Sequence, residues 1–232
     1  MISDADMVAL LLTLQVAATS TVILLLLGAP LAWWLSRTRS RFKVIVETLT
    51  AMPLVLPPTV IGFYLLLAFA PDTPLAKLWQ SLFDTSLAFS FSGLVIGSVI
   101  YSLPFVVQPL QGSYERIPQL TLMAAATLGA NRLDRFLSVV LPASRRATLA
   151  AAALAFTHTI GEFGVVLMIG GNIPGETQLV SIALYDHVEA LQYADAHALA
   201  MVLVAISFLG LLGIYSIGNR PSTLMERHRA SV

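Results

Sequence analysis

One acidic residue stands where a chemical step or a gate could use it. Glu162 lies within 147–171, a stretch otherwise free of Asp, Glu, Lys and Arg and long enough to cross a membrane. An ionisable side chain there is costly and is a functional candidate by default. His158 precedes Glu162 by four residues, so a continuous helix places both on one face, as a proton relay requires. Because no second charged residue lies deep in a span, we favour a structural or gate role with hydrogen bonds to neighbouring helices.

Other candidate chemistry is sparse. A loose group near the C-terminal third could hold a metal ion, although a solvated loop that contacts a partner is the stronger interpretation; its members are Asp186, His187, Glu189, Asp195 and His197. The chain has no Gly-x-x-x-x-Gly-Lys-Ser/Thr loop for phosphates, no His-Glu-x-x-His zinc motif and no pair of intramembrane aspartates. We therefore expect neither an enzyme nor a cofactor-binding protein.

The elements that position these residues are predicted to be membrane helices. Of 232 residues, 57% are hydrophobic and 11% are charged, against about 45–50% and about 25% in soluble domains. The absence of Cys excludes a disulfide scaffold. Long apolar runs predict an all-α integral membrane protein in which a single transmembrane domain covers 1–232. The five predicted spans are 8–35, 44–70, 89–111, 147–171 and 198–218.

Charge distribution predicts the orientation of these spans. Twelve of the 13 Lys and Arg residues fall in alternate connections, on one side of the membrane. The positive-inside rule makes that side cytoplasmic, so the N-terminus is outside and the C-terminus inside. The connection 112–146 is then a cytoplasmic loop. The outer connection 172–195 has no Lys or Arg, so high-affinity capture of an anion is expected on another protein.

Prolines interrupt several spans, most densely at Pro57 and Pro58. Proline removes a backbone donor and kinks a helix. The simpler interpretation is a bend for packing, and the sharper one is an irregular segment that lines a pathway. Five spans enclose little volume, so a pathway between two copies of the chain is more plausible than one through a single copy.

The loop 112–146 contains an uncharged helix, which we expect to pack against another surface. Its predicted course runs from Pro118, which suits a first helical turn, to Gly129, which suits the residue after a helix end. A second helix is predicted from Asn131, as its N-cap, to Leu141-Pro142. The pattern alone leaves two alternatives for what these helices pack against. One is a groove on another protein, and the other is the membrane surface or the chain's own helix ends.

The same loop resembles the EAA loop of ABC-importer permeases. Ala124 and Ala125, then Gly129 after three residues, then Leu141-Pro142 keep the spacing of that motif. Met123 stands where the family usually has Glu. The resemblance implies that this loop couples the permease to an ATPase subunit through the following residues: Met123, Ala124, Ala125, Gly129, Asn131, Leu141 and Pro142.

Two further segments are similar to molybdate importer permeases. They are 53–62, around Pro57 and Pro58, and 161–177, which begins Gly161-Glu162-Phe163-Gly164. The resemblance implies a type I ABC-importer fold, with these six residues at the path or gate. A carboxylate repels an oxyanion, so Glu162 is not expected to bind the substrate directly.

What the resemblance implies about function is specific. The chain is expected to be the inner-membrane permease subunit of a molybdate importer, with tungstate, sulfate or thiosulfate as alternative substrates. Its implied partners are a second copy, two ATPase subunits that carry ATP and Mg²⁺, a periplasmic or surface-tethered binding protein and membrane lipid, without nucleic acid. A proton-coupled carrier is the less favoured alternative.

Overall fold

The computed structural model describes residues 2–218, and every regular element within that range is helical. The helices, in chain order, are α1 (Asp4–Arg37), α2 (Lys43–Ala51), a 3-10 turn (Met52–Leu54), α3 (Pro58–Ala68), α4 (Pro74–Phe83), α5 (Phe91–Glu115), α6 (Gln119–Thr127), α7 (Arg132–Arg135), a π-helical turn (Phe136–Val140), α8 (Leu141–Ala143), α9 (Arg145–Ile160), α10 (Gly164–Gly170), α11 (Val180–Glu189) and α12 (Tyr193–Gly218).

Three of these helices, α1, α5 and α12, are long and apolar enough to cross a membrane. Two bent pairs pass the same test, which allows up to five crossings in the described residues. One pair joins Lys43–Leu54 to Pro58–Ala68 at 111°, and the other joins Arg132–Ala143 to Arg145–Ile160 at 79°. The upper count equals the five predicted spans, but the second pair covers 132–160 rather than the predicted 147–171, so the span boundaries stay predictions.

The centre of the bundle is the contact between α1 and α5, which α9 completes. Small residues at this contact allow close approach: a Cβ on Gly28 of α1 would lie 2.9 Å from Val106 Cγ1 of α5. Leu24 and Leu35 of α1 are fully buried here with Leu110. α12 packs on α9 and α11 but buries little of its own surface.

Two predicted spans are broken rather than continuous. The span 44–70 turns sharply between Leu54 and Pro58, because Pro57 adopts extended backbone and Pro58 opens a new helix at its first turn. The span 147–171 ends one helix at Ile160 and begins another at Gly164. Hydropathy could not reveal either break, since the residues at both remain apolar or uncharged except Glu162.

Two helices, α4 and α11, were not anticipated from the sequence. Thr73 caps the start of α4, since its hydroxyl accepts the Ala76 N–H, and Asp84, with φ +53°, caps its end. α11 is stabilised from a distant part of the chain, because the Thr13 hydroxyl of α1 accepts the N–H of Val180 at 2.9 Å.

Candidate functional site

The predicted coupling helix forms as α6, and its end has the geometry that glycine favours. Gly129 has φ +89°, and no neighbouring atom lies within 4 Å of where its Cβ would be. The N–H of Gly129 donates to the Ala126 carbonyl and that of Ala130 to the Ala125 carbonyl, both at 3.0 Å. This is a Schellman motif. Gly129 is therefore required by backbone conformation and not by space.

The second coupling helix begins as predicted and ends later. The Asn131 side chain accepts the Asp134 N–H at 2.9 Å, and the Asp134 carboxylate accepts the Asn131 N–H at 3.3 Å, so the capping box forms. The helix was expected to end at Leu141-Pro142 but continues to Ala143. A π-helical turn, in which the Leu141 N–H donates to the Phe136 carbonyl, widens the helix before the proline.

We call 119–143 the coupling segment; it presents an apolar surface to its surroundings. Five large side chains on it are more than half exposed, namely Leu120, Met123, Leu128, Leu133 and Leu137. Ala124, Gly129, Asn131 and Pro142 are exposed as well, whereas Ala125 and Leu141 are half-buried. Exposed apolar residues in such density mark an interaction surface.

The coupling segment is anchored to the bundle through aromatic contacts. Leu122 is only 6% exposed and belongs to the core that Tyr114 of α5 anchors. Tyr114 meets Trp33 of α1 and Phe136 of the second coupling helix edge to face, with ring centroids 6.1 and 6.2 Å apart. Arg37 Nη2 donates to the carbonyls of Tyr114, at 2.7 Å, and Ile117. Displacement of α6 must therefore move the ends of α1 and α5.

The structure brings two of the predicted gate residues into contact. A Cβ on Gly164 would lie 2.7 Å from Pro58 Cβ, so only glycine allows α10 to approach α3 this closely. One turn further along α3, a Cβ on Gly62 would lie 2.7 Å from Met168 Cβ. The helices that follow the two breaks, α3 and α10, thus pack on each other.

The remaining predicted gate residues divide between surface and interior. Pro57 and Gly161 are exposed, and the nearest atoms to a Cβ on Gly161 are carbonyl oxygens of its own helix at 3.8 and 3.9 Å. Phe163 is half-buried against Tyr185, with ring centroids 5.1 Å apart. Gly161 therefore has space beside it in the single chain, unlike Gly164.

Glu162 is buried without the hydrogen bonds that we expected. It is 4% exposed, and neither carboxyl oxygen has a partner with hydrogen-bond geometry. The Ser98 hydroxyl is close enough to interact with the carboxyl but is itself unpartnered. The main chain of Glu162 is hydrogen-bonded, since Ser181 Oγ donates to its carbonyl at 2.5 Å, but its side chain is not. An unpartnered buried carboxyl is costly and belongs at functional positions.

His158 does not share a helix face with Glu162. α9 ends at Ile160 and Glu162 follows the break, so the four-residue spacing does not describe one helical turn. His158 Nδ1 instead lies 2.9 Å from Ser102 Oγ, and the ring stacks on Phe105 with centroids 4.0 Å apart. Ser102 Oγ also lies 3.2 Å from Thr159 Oγ1. No contact for a relay between His158 and Glu162 is present in 2–218.

Sequence reasoning missed the hydroxyl residues of α5 that face this interior. Ser98 and Ser102 are fully buried and lie four residues apart, so they share a face of α5. That spacing within a span is the signal that could have identified them. Together with Glu162 and Thr159 they form a polar strip inside an apolar bundle.

Members of the loose group of acids and histidines make separate hydrogen bonds to other parts of the chain. Asp186 accepts from the side-chain amides of Asn172 and Gln178. His187 Nε2 lies 2.9 Å from Asp6 Oδ1 at the start of α1. Among the described residues, no group of three or more His, Cys, Asp or Glu side chains is arranged to hold a metal ion.

Comparison with known proteins identifies this arrangement of helices. Residues 9–218 match the family of binding-protein-dependent transport system inner membrane components. The chain belongs to this family. It is 53% identical to the molybdenum transport system permease protein ModB of Azotobacter vinelandii over 93% of this chain and 95% of that one.

More distant relatives extend the comparison. This permease is 34% identical to the ModB protein of Haemophilus influenzae (87% of this chain, 88% of that one). It is 33% identical to the sulfate transport system permease protein CysT of Escherichia coli K12 (90% and 75%). All three relatives are named as transport permeases rather than enzymes.

Solved structures show the same fold at low sequence identity. A bacterial alginate ABC transporter in complex with its alginate-bound periplasmic protein has a TM-score of 0.73 and 14% identity, covering 95% of this chain and 81% of that one. The MetNI methionine ABC transporter has a TM-score of 0.65 and 16% identity, covering 93% and 99%. The fold is that of type I ABC importers.

Family membership settles the general role. The chain is a multi-pass permease subunit of the inner membrane and not an enzyme. As part of an ABC importer it works with ATP-hydrolysing subunits and a substrate-binding protein.

Proposed function

We propose that this permease imports molybdate as a homodimer that carries two ATP-hydrolysing subunits. The observation that supports the substrate is the 53% identity to a molybdenum transport permease over nearly the whole of both chains. The named sulfate permease is 33% identical and is covered over 75% of its length. The greater likeness favours molybdate, with tungstate or sulfate as the competing substrates.

The proposed orientation places the N-terminus outside and the coupling segment in the cytoplasm. The charge distribution supports it, since the segment's connection holds five of the 13 basic residues and the outer connection 172–195 holds none. The exposed leucines of α6 and α7 are then available to an ATPase subunit. This assigns to Met123, Ala124, Ala125, Gly129, Asn131, Leu141 and Pro142 the coupling role that the motif implies.

Movement at that contact reaches the bundle by packing. Leu122 and Phe136 attach the coupling segment to Tyr114, and Arg37 ties the end of α1 to the end of α5. Because the interior is close-packed, these groups move together rather than deform. Closure of the two ATPase subunits would rock α1 and α5 and open the outer side of the dimer.

The proposed gate is the pair of broken spans. Pro57 and Pro58 end one helix and start another, and Gly161–Gly164 do the same on the segment packed against them. Helix ends at these breaks leave backbone groups free to face a pathway. The exposed Gly161 and Pro57 would be open to the second copy, with the unpartnered Glu162 carboxyl buried next to Gly161 and near the Ser98 hydroxyl of α5.

Uptake in a reconstituted system tests this function. The permease, co-purified with its ATPase subunits, is placed in proteoliposomes that enclose ATP, and binding protein with radiolabelled molybdate is added outside. We expect ATP-dependent accumulation that unlabelled tungstate reduces more than sulfate. Preferential uptake of sulfate, or uptake driven by a proton gradient without ATP, would contradict the proposal. Empty liposomes and liposomes without binding protein are the controls.

A further inference from the structure

A wide basic cleft lies between the C-terminal end of α1 and the coupling segment. Its volume is about 1160 Å³, and both walls carry arginine and aromatic or apolar side chains. The residues that matter for recognition are Trp33, Trp34, Arg37, Arg39, Arg132 and Arg135. Met123 of α6 lines the same space, so an occupant would contact the coupling helix directly.

The positive charge of the arginines in the cleft is not balanced by acidic side chains among its described lining residues. Four guanidinium groups line it, whereas none of its lining residues in 2–218 is acidic. Two acids close in sequence are already engaged: Glu115 lies 3.8 Å from Lys43 Nζ, and Asp134 accepts the Asn131 N–H in the capping box. Arg37 is already engaged, since its Nη2 donates to the carbonyls of Tyr114 and Ile117 and its Nε is buried. Arg39, Arg132 and Arg135 line the cleft with no acidic lining residue in 2–218, so they offer donors to an anion.

The position of the cleft points to the membrane surface. α1 has 34 residues and a length of about 51 Å, which exceeds the roughly 30 Å of the hydrocarbon core. Val22, Leu26 and Leu27 form its last strongly exposed apolar row. Trp34 is 41% exposed, and its position seven residues after Leu27 lies about 10 Å further along the helix. Tryptophan at that distance is typical of the headgroup level.

We propose that this cleft binds the phosphate-bearing headgroup of an anionic phospholipid from the adjoining leaflet. Guanidinium groups recognise phosphate oxygens with paired hydrogen bonds. Basic pockets between membrane helices on the cytoplasmic side are suited to such headgroups. The chain's own segment 219–232 is a poor occupant by charge, since it holds three Arg and one Glu. A bound headgroup would link α1 to α6 and make coupling sensitive to lipid charge.

Lipid titration of the complete permease–ATPase complex tests this proposal. The complex in detergent is titrated with short-chain phosphatidylglycerol or phosphatidylcholine, and bound lipid is counted by native mass spectrometry. Two variants alter the cleft without touching Arg37: Arg39→Gln with Arg132→Gln, and Met123→Glu, which adds a carboxylate. The matched control, Arg116→Gln with Arg145→Gln, removes two exposed arginines that do not line the cleft.

The expected result is selective weakening. Phosphatidylglycerol should bind roughly tenfold more weakly to both cleft variants and as in the unmodified complex to the control, while phosphatidylcholine binds weakly throughout. Equal weakening in the control would overturn the proposal. So would displacement of the lipid by inorganic phosphate or molybdate at similar concentration, which would indicate a site for free oxyanions. Loss of the ATPase subunits with lipid binding unchanged would show that the cleft contacts the ATPase instead.

Discussion

Gly164 of α10 lies in direct contact with Pro58 of α3, so that a Cβ on the glycine would lie 2.7 Å from the proline Cβ. The contact joins the two points at which predicted spans break. Neither partner can be enlarged without separating α10 from α3. The proposed gate thus has a steric pivot whose position a single methyl group can disturb.

Gly164→Ala should destabilise the permease and reduce uptake, because the new methyl group overlaps Pro58. Overpacking of this kind costs about 1–3 kcal/mol. Thermal unfolding in detergent, followed by size-exclusion chromatography, measures the stability, and the proteoliposome assay measures uptake. Gly161→Ala is the matched control, since its methyl group has space in the single chain. Equal losses of stability in the two variants would contradict the contact's importance.

Glu162→Gln should leave assembly intact and lower uptake. The carboxyl is buried and unpartnered, so an amide of the same shape replaces the ionisable group without removing a hydrogen bond. We expect unfolding temperature to be unchanged or higher and transport to fall. Ser98→Ala should have a similar but smaller effect, because that buried hydroxyl lies near the carboxyl. Unaltered molybdate uptake by the Gln variant would show that the carboxyl group has no role.

Gly129→Ala should weaken coupling through backbone strain alone. The residue has φ +89° without a close neighbour, so an L side chain costs about 1–2 kcal/mol in this conformation. The Schellman turn after α6 should open, and ATPase activity should respond less to the binding protein. Gly175→Ala is the control, because Gly175 has φ +80°, also without a neighbour, and lies in the connection between α10 and α11. Similar uncoupling by both substitutions would rule out a local effect at α6.

A cysteine in place of Leu128 should form crosslinks to the ATPase subunit. Leu128 is 89% exposed at the end of α6, whereas Leu122 on the inner face is 6% exposed. A bifunctional thiol reagent, applied in the apo, ATP and vanadate-trapped states, should link Leu128→Cys and not Leu122→Cys. Failure of Leu128→Cys to crosslink in every state would reject the docking of α6 on the ATPase.

The contact between His187 and Asp6 should make the stability of the permease pH-dependent. The hydrogen bond with Asp6, and then that with Gln192, raises the pKa of His187. A raised pKa in the folded state contributes stability that is fully present below the unfolded value of about 6.5 and is lost as pH rises through the folded value. Unfolding temperature should therefore fall in the window above pH 6.5. His187→Gln should flatten this profile, and the exposed His197→Gln should not; parallel profiles for the native chain and His187→Gln would contradict the assignment.

The sequence predicted the membrane helices and the ends of the coupling helices, because these depend on composition and on capping residues next to each helix. Long uncharged runs are typical of membrane helices, and the capping residues Asn131 and Gly129 act through the backbone next to them. The coupling segment was accordingly located to within a few residues. Its later end at Ala143 depends on a π-helical turn that no local pattern specified.

The interior of the gate depended on tertiary contacts that periodicity cannot supply. The predicted pairing of His158 with Glu162 assumed a continuous helix. The helix instead ends before Gly161, and His158 forms a hydrogen bond with Ser102. The contact of Gly164 with Pro58 joins segments more than 100 residues apart. Glu162 was recognised by its charge alone, and its lack of hydrogen bonds became visible only in the folded chain.

The hydrogen bonds between α1 and α11 affect the order in which the permease folds during synthesis. Thr13 and Asp6 emerge first from the ribosome, while Val180 and His187, their partners, are synthesised more than 160 residues later. During most of translation the N-terminal end of α1 therefore lacks these two contacts, although its own Ser3–Asp6 cap can form at once. The contact between α1 and α11 is thus a late event of biogenesis, and a chain truncated before α11 would lack both hydrogen bonds.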